Sequence, residues 1–154
     1  MAVFIYNRTQ NHVDRLKWLR AKGYENLTAS EKAEYADSAR LGAYNATDLN
    51  RVESAVDELS LAFGLTLVTQ RWGSWASPTV ADMDRYLSNV VTLRDAALAT
   101  DSTLEFPTLP SSMSHLTYEG ANNIEKTLEI VSNVAPILNA FVLDESTLDN
   151  TVLG

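Results

Sequence analysis

Residues 43–63, AYNATDLNRVESAVDELSLAF, constrain the chain more than any other stretch. Asn45 suits a helix N-cap, Asp48 sits three residues on, and Leu49, Val52, Val56, Leu59 and Phe63 follow at alternating spacings of three and four. That spacing draws one apolar stripe along one face of a helix, and a helix with one apolar face must bury it against something else. The same cap-and-stripe pattern begins at Thr9, Thr79 and Thr117, so starts fall 36, 34 and 38 residues apart. A chain built this way is expected to be mainly α.

In order, the pattern predicts a helix from the Thr9 cap to about Lys22, with Val13, Leu16 and Leu19 inward and Gly23 ending it. A capping box at Thr28 and Glu31 opens a short helix over 29–40 whose stripe is weak. The helix capped by Asn45 ends near Gly64. Another, capped by Thr79, runs to about Ala99 with Met83, Tyr86, Val90, Leu93 and Ala97 inward. The last begins at Thr117, with Ala121, Ile124, Leu128, Val131 and Leu138 inward, and Pro136 is expected to kink or end it. Residues 2–6 (AVFIY) and 65–71 (LTLVTQR) read as short β-strands. The expected architecture is therefore about five helices in an antiparallel, bundle-like array with one or two short strands. An N-terminal arm (1–8), a single helical domain (9–142) and a C-terminal tail (143–154) complete it.

A repeat near 34 residues invites comparison with tetratricopeptide arrays, but two units hold one long helix each and the signature residues are missing. Between cap and second stripe residue lie Asp14-Arg15, Asn50-Arg51, Asp84-Arg85 and Asn122-Asn123. One reading is that capped amphipathic helices resemble each other of necessity. The other is that these polar pairs, Arg51 and Arg85 above all, bridge neighbouring helices.

Reactive chemistry finds little footing. The chain has no cysteine, which removes disulfides, thiolate nucleophiles and Cys-based zinc sites. Its two histidines, His12 and His115, belong to no metal-ligand or HExxH pattern, and no phosphate loop, nucleophile elbow or dinucleotide fingerprint is present. Neither a cofactor nor a metal is expected. Acid pairs such as Asp82/Asp84 and Asp57/Glu58 would have to carry any small hydrolase reading, and acids at helix starts are ordinarily dipole partners. A net charge of −8 argues against nucleic-acid binding through phosphates. The apolar-rich stretch 124–143 is broken by Lys126, Glu129, Asn133, Pro136 and Asn139, so no membrane span is expected. The opening MAVFIYNRTQ has no basic n-region, and the N-x-[ST] triplets at Asn7, Asn26 and Asn45 then read as capping chemistry, with synthesis in a cytoplasm.

Candidate interaction residues are Phe4 and Tyr6 on the arm and the cluster Arg71, Trp72 and Trp75. Flat aromatics on a loop stack on sugar rings or anchor protein contacts. They also seal gaps between elements, and that structural role is the favoured one for the tryptophans.

The run RTQNHVDRLKWLRAKGYENLTASEKAEY followed by LGAYNATDLNRVESAVDEL resembles small proteins encoded in the tail-gene region of phages and prophages of Gram-positive bacteria. Later segments fit as well: Trp75, Pro78-Thr79, Asp82-Met83-Asp84-Arg85-Tyr86-Leu87-Ser88-Asn89-Val90, and Leu116-Thr117-Tyr118 with Ala121-Asn122-Asn123-Ile124-Glu125-Lys126. The likeness covers about residues 7–133, departing at His12, where an acid is common, and at Tyr24, where Trp is frequent. It implies a virion structural part, tail- or baseplate-associated or an adaptor for a fibre, and not an enzyme. Its implied partners are other tail or baseplate proteins and further copies of itself, and a surface glycan is the alternative partner. The implied location is the tail region of a virion, after synthesis in the bacterial host cytoplasm.

Overall fold

Asn50 and Trp72 define the path of the chain: the Asn50 side-chain amide donates to the Trp72 carbonyl and accepts from its N–H, both at 2.8 Å. Asn50 stands early in its helix and Trp72 well past that helix's end, so the chain doubles back along the helix it has just made. The computed structural model describes the backbone of residues 3–153 and the side chains of residues 3–135. Its helices are α1 (Gln10–Lys22), α2 (Ala29–Gly42), α3 (Ala46–Ala62), α4 (Val80–Thr100) and α5 (Tyr118–Leu153), with a single 3₁₀ turn at Tyr24–Asn26. The protein is mainly α.

Caps set the helix starts. Thr9, Thr28, Asn45 and Thr79 each accept from the backbone N–H three positions on, and His12, Glu31, Asp48 and Asp82 reach back to the cap's own N–H. Two otherwise orphaned donors are satisfied at each start. At Thr117 the hydroxyl accepts from the Gly120 N–H.

α1 and α2 form a helical hairpin in which Arg15 clasps Glu34 and Lys22 clasps Glu31. The two helices come closest at Gly42, where a Cβ would lie 2.5 Å from the His12 carbonyl oxygen and 2.8 Å from the Leu16 Cβ. Only glycine leaves room there.

α3, α4 and α5 make the core, and they run in the same direction. Arg85 of α4 meets Glu53 of α3 near their starts. Further along, the carbonyl of Val68 binds Arg85 and Asn89 of α4 while its neighbour Thr69 binds Asp57 of α3. Leu49, Met83 and Leu116, at the starts of the three helices, line one cleft. The expectation of an antiparallel array is therefore corrected. Short loops would force antiparallel neighbours, but the connections after α3 and α4 are long enough to return the chain to the starting end in extended form.

Neither expected strand forms among the described residues: 65–71 and the described part of 2–6 are extended without ladder pairing. The period-2 alternation is real over 65–70, with Leu65, Leu67 and Thr69 partly buried and Thr66, Val68 and Gln70 exposed. An extended chain laid along two helices alternates just as a strand does, and its polar groups are met by Asn50, Arg85 and Asn89 rather than by another strand. On the arm, the N–H groups of Ile5 and Arg8 donate to Glu125 and Asn122 of α5. The arm is thus docked on its own chain, not held out as an unpaired edge.

The core gathers Val52, Val56 and Leu59 of α3, Tyr86, Val90 and Leu93 of α4, and Ile124, Leu128 and Val131 of α5. The predicted stripes are the buried faces, and Leu87 and Ala55 join them. α2 buries no residue fully, as its weak stripe foretold. The backbone of α5 stays helical past Pro136, so the proline does not end it. The inward placement expected of Leu138 and the side chains of the tail 143–154 fall outside the described residues.

Candidate functional site

Among the described residues, the buried charge gathers at the common starting end of α3, α4 and α5. Arg8, just before the α1 cap, is 4% exposed. It donates to Asp48 at 2.7 Å, to Glu125 at 3.0 Å and to the Ile5 carbonyl at 3.0 Å. Arg51 joins from the other side, reaching Asp48 at 2.5 Å and Glu125 at 2.6 and 2.9 Å. Two guanidinium groups and two carboxylates from the arm, α3 and α5 thus form one closed network. Bonds of this kind are charge-assisted, and the planar guanidinium suits a two-pronged grip on a carboxylate.

A second pair adjoins it. Arg85 of α4 holds Glu53 of α3 at 2.6 Å, and the Trp72 indole N–H donates to the same carboxylate at 3.4 Å. Glu53 is fully buried, as Glu125 is. Burial of an ion is costly unless its partners are well placed, and here each buried acid has at least two donors. Between the two networks the hydroxyls of Tyr44 and Tyr86 bond to each other, and Arg8 lies 5.4 Å from the Tyr44 ring centre. Burial, with the nearby Tyr44, raises the Tyr86 phenol well above its ordinary range. For Arg51, burial alone would lower the pKa, but the bonds to Glu125 and Asp48 outweigh it and leave it raised.

The polar pairs noted in the repeat have separate tasks. Arg15, Arg51 and Arg85 each reach a carboxylate on a neighbouring helix: Glu34 on α2, Glu125 on α5 and Glu53 on α3. Asn50 fastens the return segment, Asn122 clasps the Arg8 backbone and Asn123 donates to the Thr108 carbonyl. The buried acids Glu53 and Glu125 were missed from sequence. They occupy the same place relative to the caps Asn45 and Thr117, and that equivalence was the signal available.

The aromatic cluster is divided. Trp72 is 8% exposed and belongs to the core, while Trp75, on the turn before α4, is 98% exposed. Arg71 pairs with Asp57 on the surface. On the arm, Phe4 packs against the core and Tyr6 is partly exposed, its hydroxyl donating to Glu129. Asp82 is occupied by Thr79, whose N–H and hydroxyl both donate to it and hold its carboxyl below the ordinary range. Asp57 is likewise lowered by Thr69 and Arg71. Paired this way, neither acid is poised to take or give a proton near neutral pH. His12 serves the first capping box, its Nδ1 accepting from the Thr9 N–H.

Among the described residues no group of three or more potential ligands is placed to hold a metal ion, and no helix is long and apolar enough to cross a membrane. The arrangement is well suited to locking elements together. Comparison with protein-family models, curated proteins and solved structures yields no match.

Proposed function

We propose that the chain is a structural part of a phage virion, associated with the tail or baseplate or adapting a fibre to it, and that it acts by protein–protein assembly and not by catalysis. The observation that carries this reading is the fate of the residues through which the chain resembles tail-region proteins. Asn45, Asp48, Asn50 and Arg51, then Asp82 and Arg85, then Asn122 and Glu125, are all engaged in caps or in bonds between elements. A motif used up in this way specifies shape, which is what an assembly part must supply. Its partners on this reading are other tail proteins and further copies of the chain, and its place is the virion after synthesis in the host cytoplasm. Mass spectrometry of particles purified from a phage or prophage encoding the chain tests it. A fixed copy number per particle is expected, and a chain found only in the unassembled lysate overturns the reading.

A second reading, a surface-glycan-binding module, draws on the exposure of Trp75. Burial of Trp72 leaves Trp75 as the exposed ring of the Arg71, Trp72 and Trp75 cluster. Binding on a glycan array that disappears in Trp75→Ala supports it. An array without signal removes it.

A further inference from the structure

We propose that the cleft at the start of α5 binds a phosphate monoester, held by Lys17, Arg20 and the first backbone N–H groups of α5. This goes beyond the assembly reading and does not rest on it.

The cleft, about 620 Å³, lies between α1, the end of α2 and the start of α5, and is lined more by polar than by apolar surface. A volume of that order suits a small organic ligand. Its lining contains three cations, Arg8, Lys17 and Arg20, and one acid, Glu119. The chain as a whole has the opposite balance, with 20 acids against 12 lysines and arginines. Arg8 is committed to Asp48 and Glu125. On α1, Arg15 and Lys22 are taken by Glu34 and Glu31. Lys17 and Arg20 stand three positions apart on one side of that helix. Both are exposed, and among the described residues neither has a carboxylate within ion-pair distance.

Two further features of the same lining ask for an acceptor. The first N–H groups of a helix have no partner within it and form the positive end of its dipole. At α5 the Thr117 hydroxyl takes the Gly120 N–H, while Tyr118 and Glu119, whose N–H groups come earlier, line the cleft. Arg8 is 4% exposed and lines it too, and among the described residues its Nε has no hydrogen-bond partner. A buried donor left over in this way calls for an acceptor from outside the chain. Free cations, helix-start N–H groups and a spare buried donor are together the chemistry of an oxyanion site.

Phosphate matches it better than carboxylate. A monoester brings about −1.5 to −2 charges near neutral pH and three acceptor oxygens, enough to answer two cations and several N–H groups at once. The net charge of −8 disfavours a polyanion spread over the surface, so the ligand is compact and not a nucleic acid. Val13, Leu41 and Leu116 give the esterified group an apolar wall.

Nitrogen–proton correlation NMR of the full chain, titrated with glycerol 3-phosphate, tests this. Saturable shifts are expected at Lys17, Arg20, Tyr118 and Glu119. Lys17→Gln/Arg20→Gln should keep the wild-type circular dichroism and weaken binding about tenfold. Glu119→Gln should tighten it, since the one like charge in the lining is removed. Acetate is the comparison, and a site that responds equally to acetate overturns the assignment to phosphate. Vesicles of phosphatidylcholine with phosphatidic acid present the same group as a lipid headgroup. Co-sedimentation that the double variant abolishes identifies a lipid source, and shifts with glycerol 3-phosphate without co-sedimentation identify a soluble ester. Absence of binding in both arms, shifts that map away from the cleft, or affinity unchanged in both variants overturns the proposal.

Discussion

Arg8 and Glu125 are 117 positions apart in the chain and meet inside the protein at 3.0 Å, each with a side chain no more than 2% exposed. Glu125 also holds Arg51 and the Ile5 N–H, so one carboxylate ties the arm and α3 to α5. Removing it leaves the buried Arg8 and the partly buried Arg51 to share Asp48. Glu125→Ala is expected to cost about 3–5 kcal/mol, the usual penalty for breaking a buried pair from one side. Urea denaturation followed by circular dichroism measures it, and a loss below about 1 kcal/mol, the scale of an exposed pair, would show the network to be solvated.

The twin bond between Asn50 and Trp72 predicts a more local effect. Asn50→Ala leaves the Trp72 N–H and carbonyl without their partner and should cost about 1–3 kcal/mol. The loss should be felt first in the return segment. With Trp18 and Trp75 replaced by Phe, emission reports Trp72 alone, and Asn50→Ala should shift it to the red before the helices melt. Coincident transitions would mean that the segment is held by its apolar contacts alone.

At Gly42 the prediction concerns space. Alanine would bring a Cβ against the His12 carbonyl and the Leu16 Cβ, neither the free end of a flexible chain. Gly42→Ala should part α1 from α2 and cost about 1–3 kcal/mol by overpacking, despite alanine's better helix propensity. Differential scanning calorimetry checks the sign, since a raised melting temperature contradicts the close approach.

These sites show what could be read in advance. The caps Thr9, Asn45 and Thr79 and the stripes behind them were legible because both rest on local rules, one of hydrogen bonding and one of periodicity. The mainly α character followed from them. Direction was not legible, because parallel or antiparallel packing depends on the path of the connections, and the alternation of 65–71 fits an extended return as well as a strand. Glu53 and Glu125 lie beside the stripes, where an acid is ordinarily solvated, so their burial showed only once Arg85, Arg8 and Arg51 were in place around them. Trp72 and Trp75 are separated by two residues and differ completely in exposure, a difference that lies in the turn and not in composition.

Acid should loosen the protein in a defined window. Glu31, Glu34 and Glu129 are held below the ordinary glutamate value of 4.5 chiefly by bonds from Lys22, Arg15 and Lys126. Asp57, Asp82 and Asp101 are held below the ordinary 3.8 chiefly by bonds from Thr69, Thr79 and Thr103. A carboxyl with a depressed folded pKa binds fewer protons folded than unfolded, so its contribution is fully present above the unfolded value and disappears as pH falls through the folded one. Stability should therefore be flat with respect to these groups above about pH 5 and decline progressively below it. Most of these carboxylates are at the surface, where water and salt screen the pairs, so each contribution is small and the slope gentle. Urea midpoints at a series of pH values measure the slope, and Asp82→Asn should reduce it by removing one depressed carboxyl.

Deleting the arm separates docking on its own chain from pairing with another. Removing residues 1–8 takes away Arg8 and the N–H donors to Glu125 and Asn122, leaving Arg51 as the cation that Asp48 and Glu125 share. The truncated chain should unfold at markedly lower urea while keeping its far-ultraviolet helix signal in water. An arm that existed only to pair with another copy would give the opposite result, a change in mass at unaltered stability. Restoring Arg8 alone, by deleting residues 1–7, should recover the part of the loss that belongs to the ion network. The remainder belongs to Phe4, which packs against the core, and to the Ile5 bond.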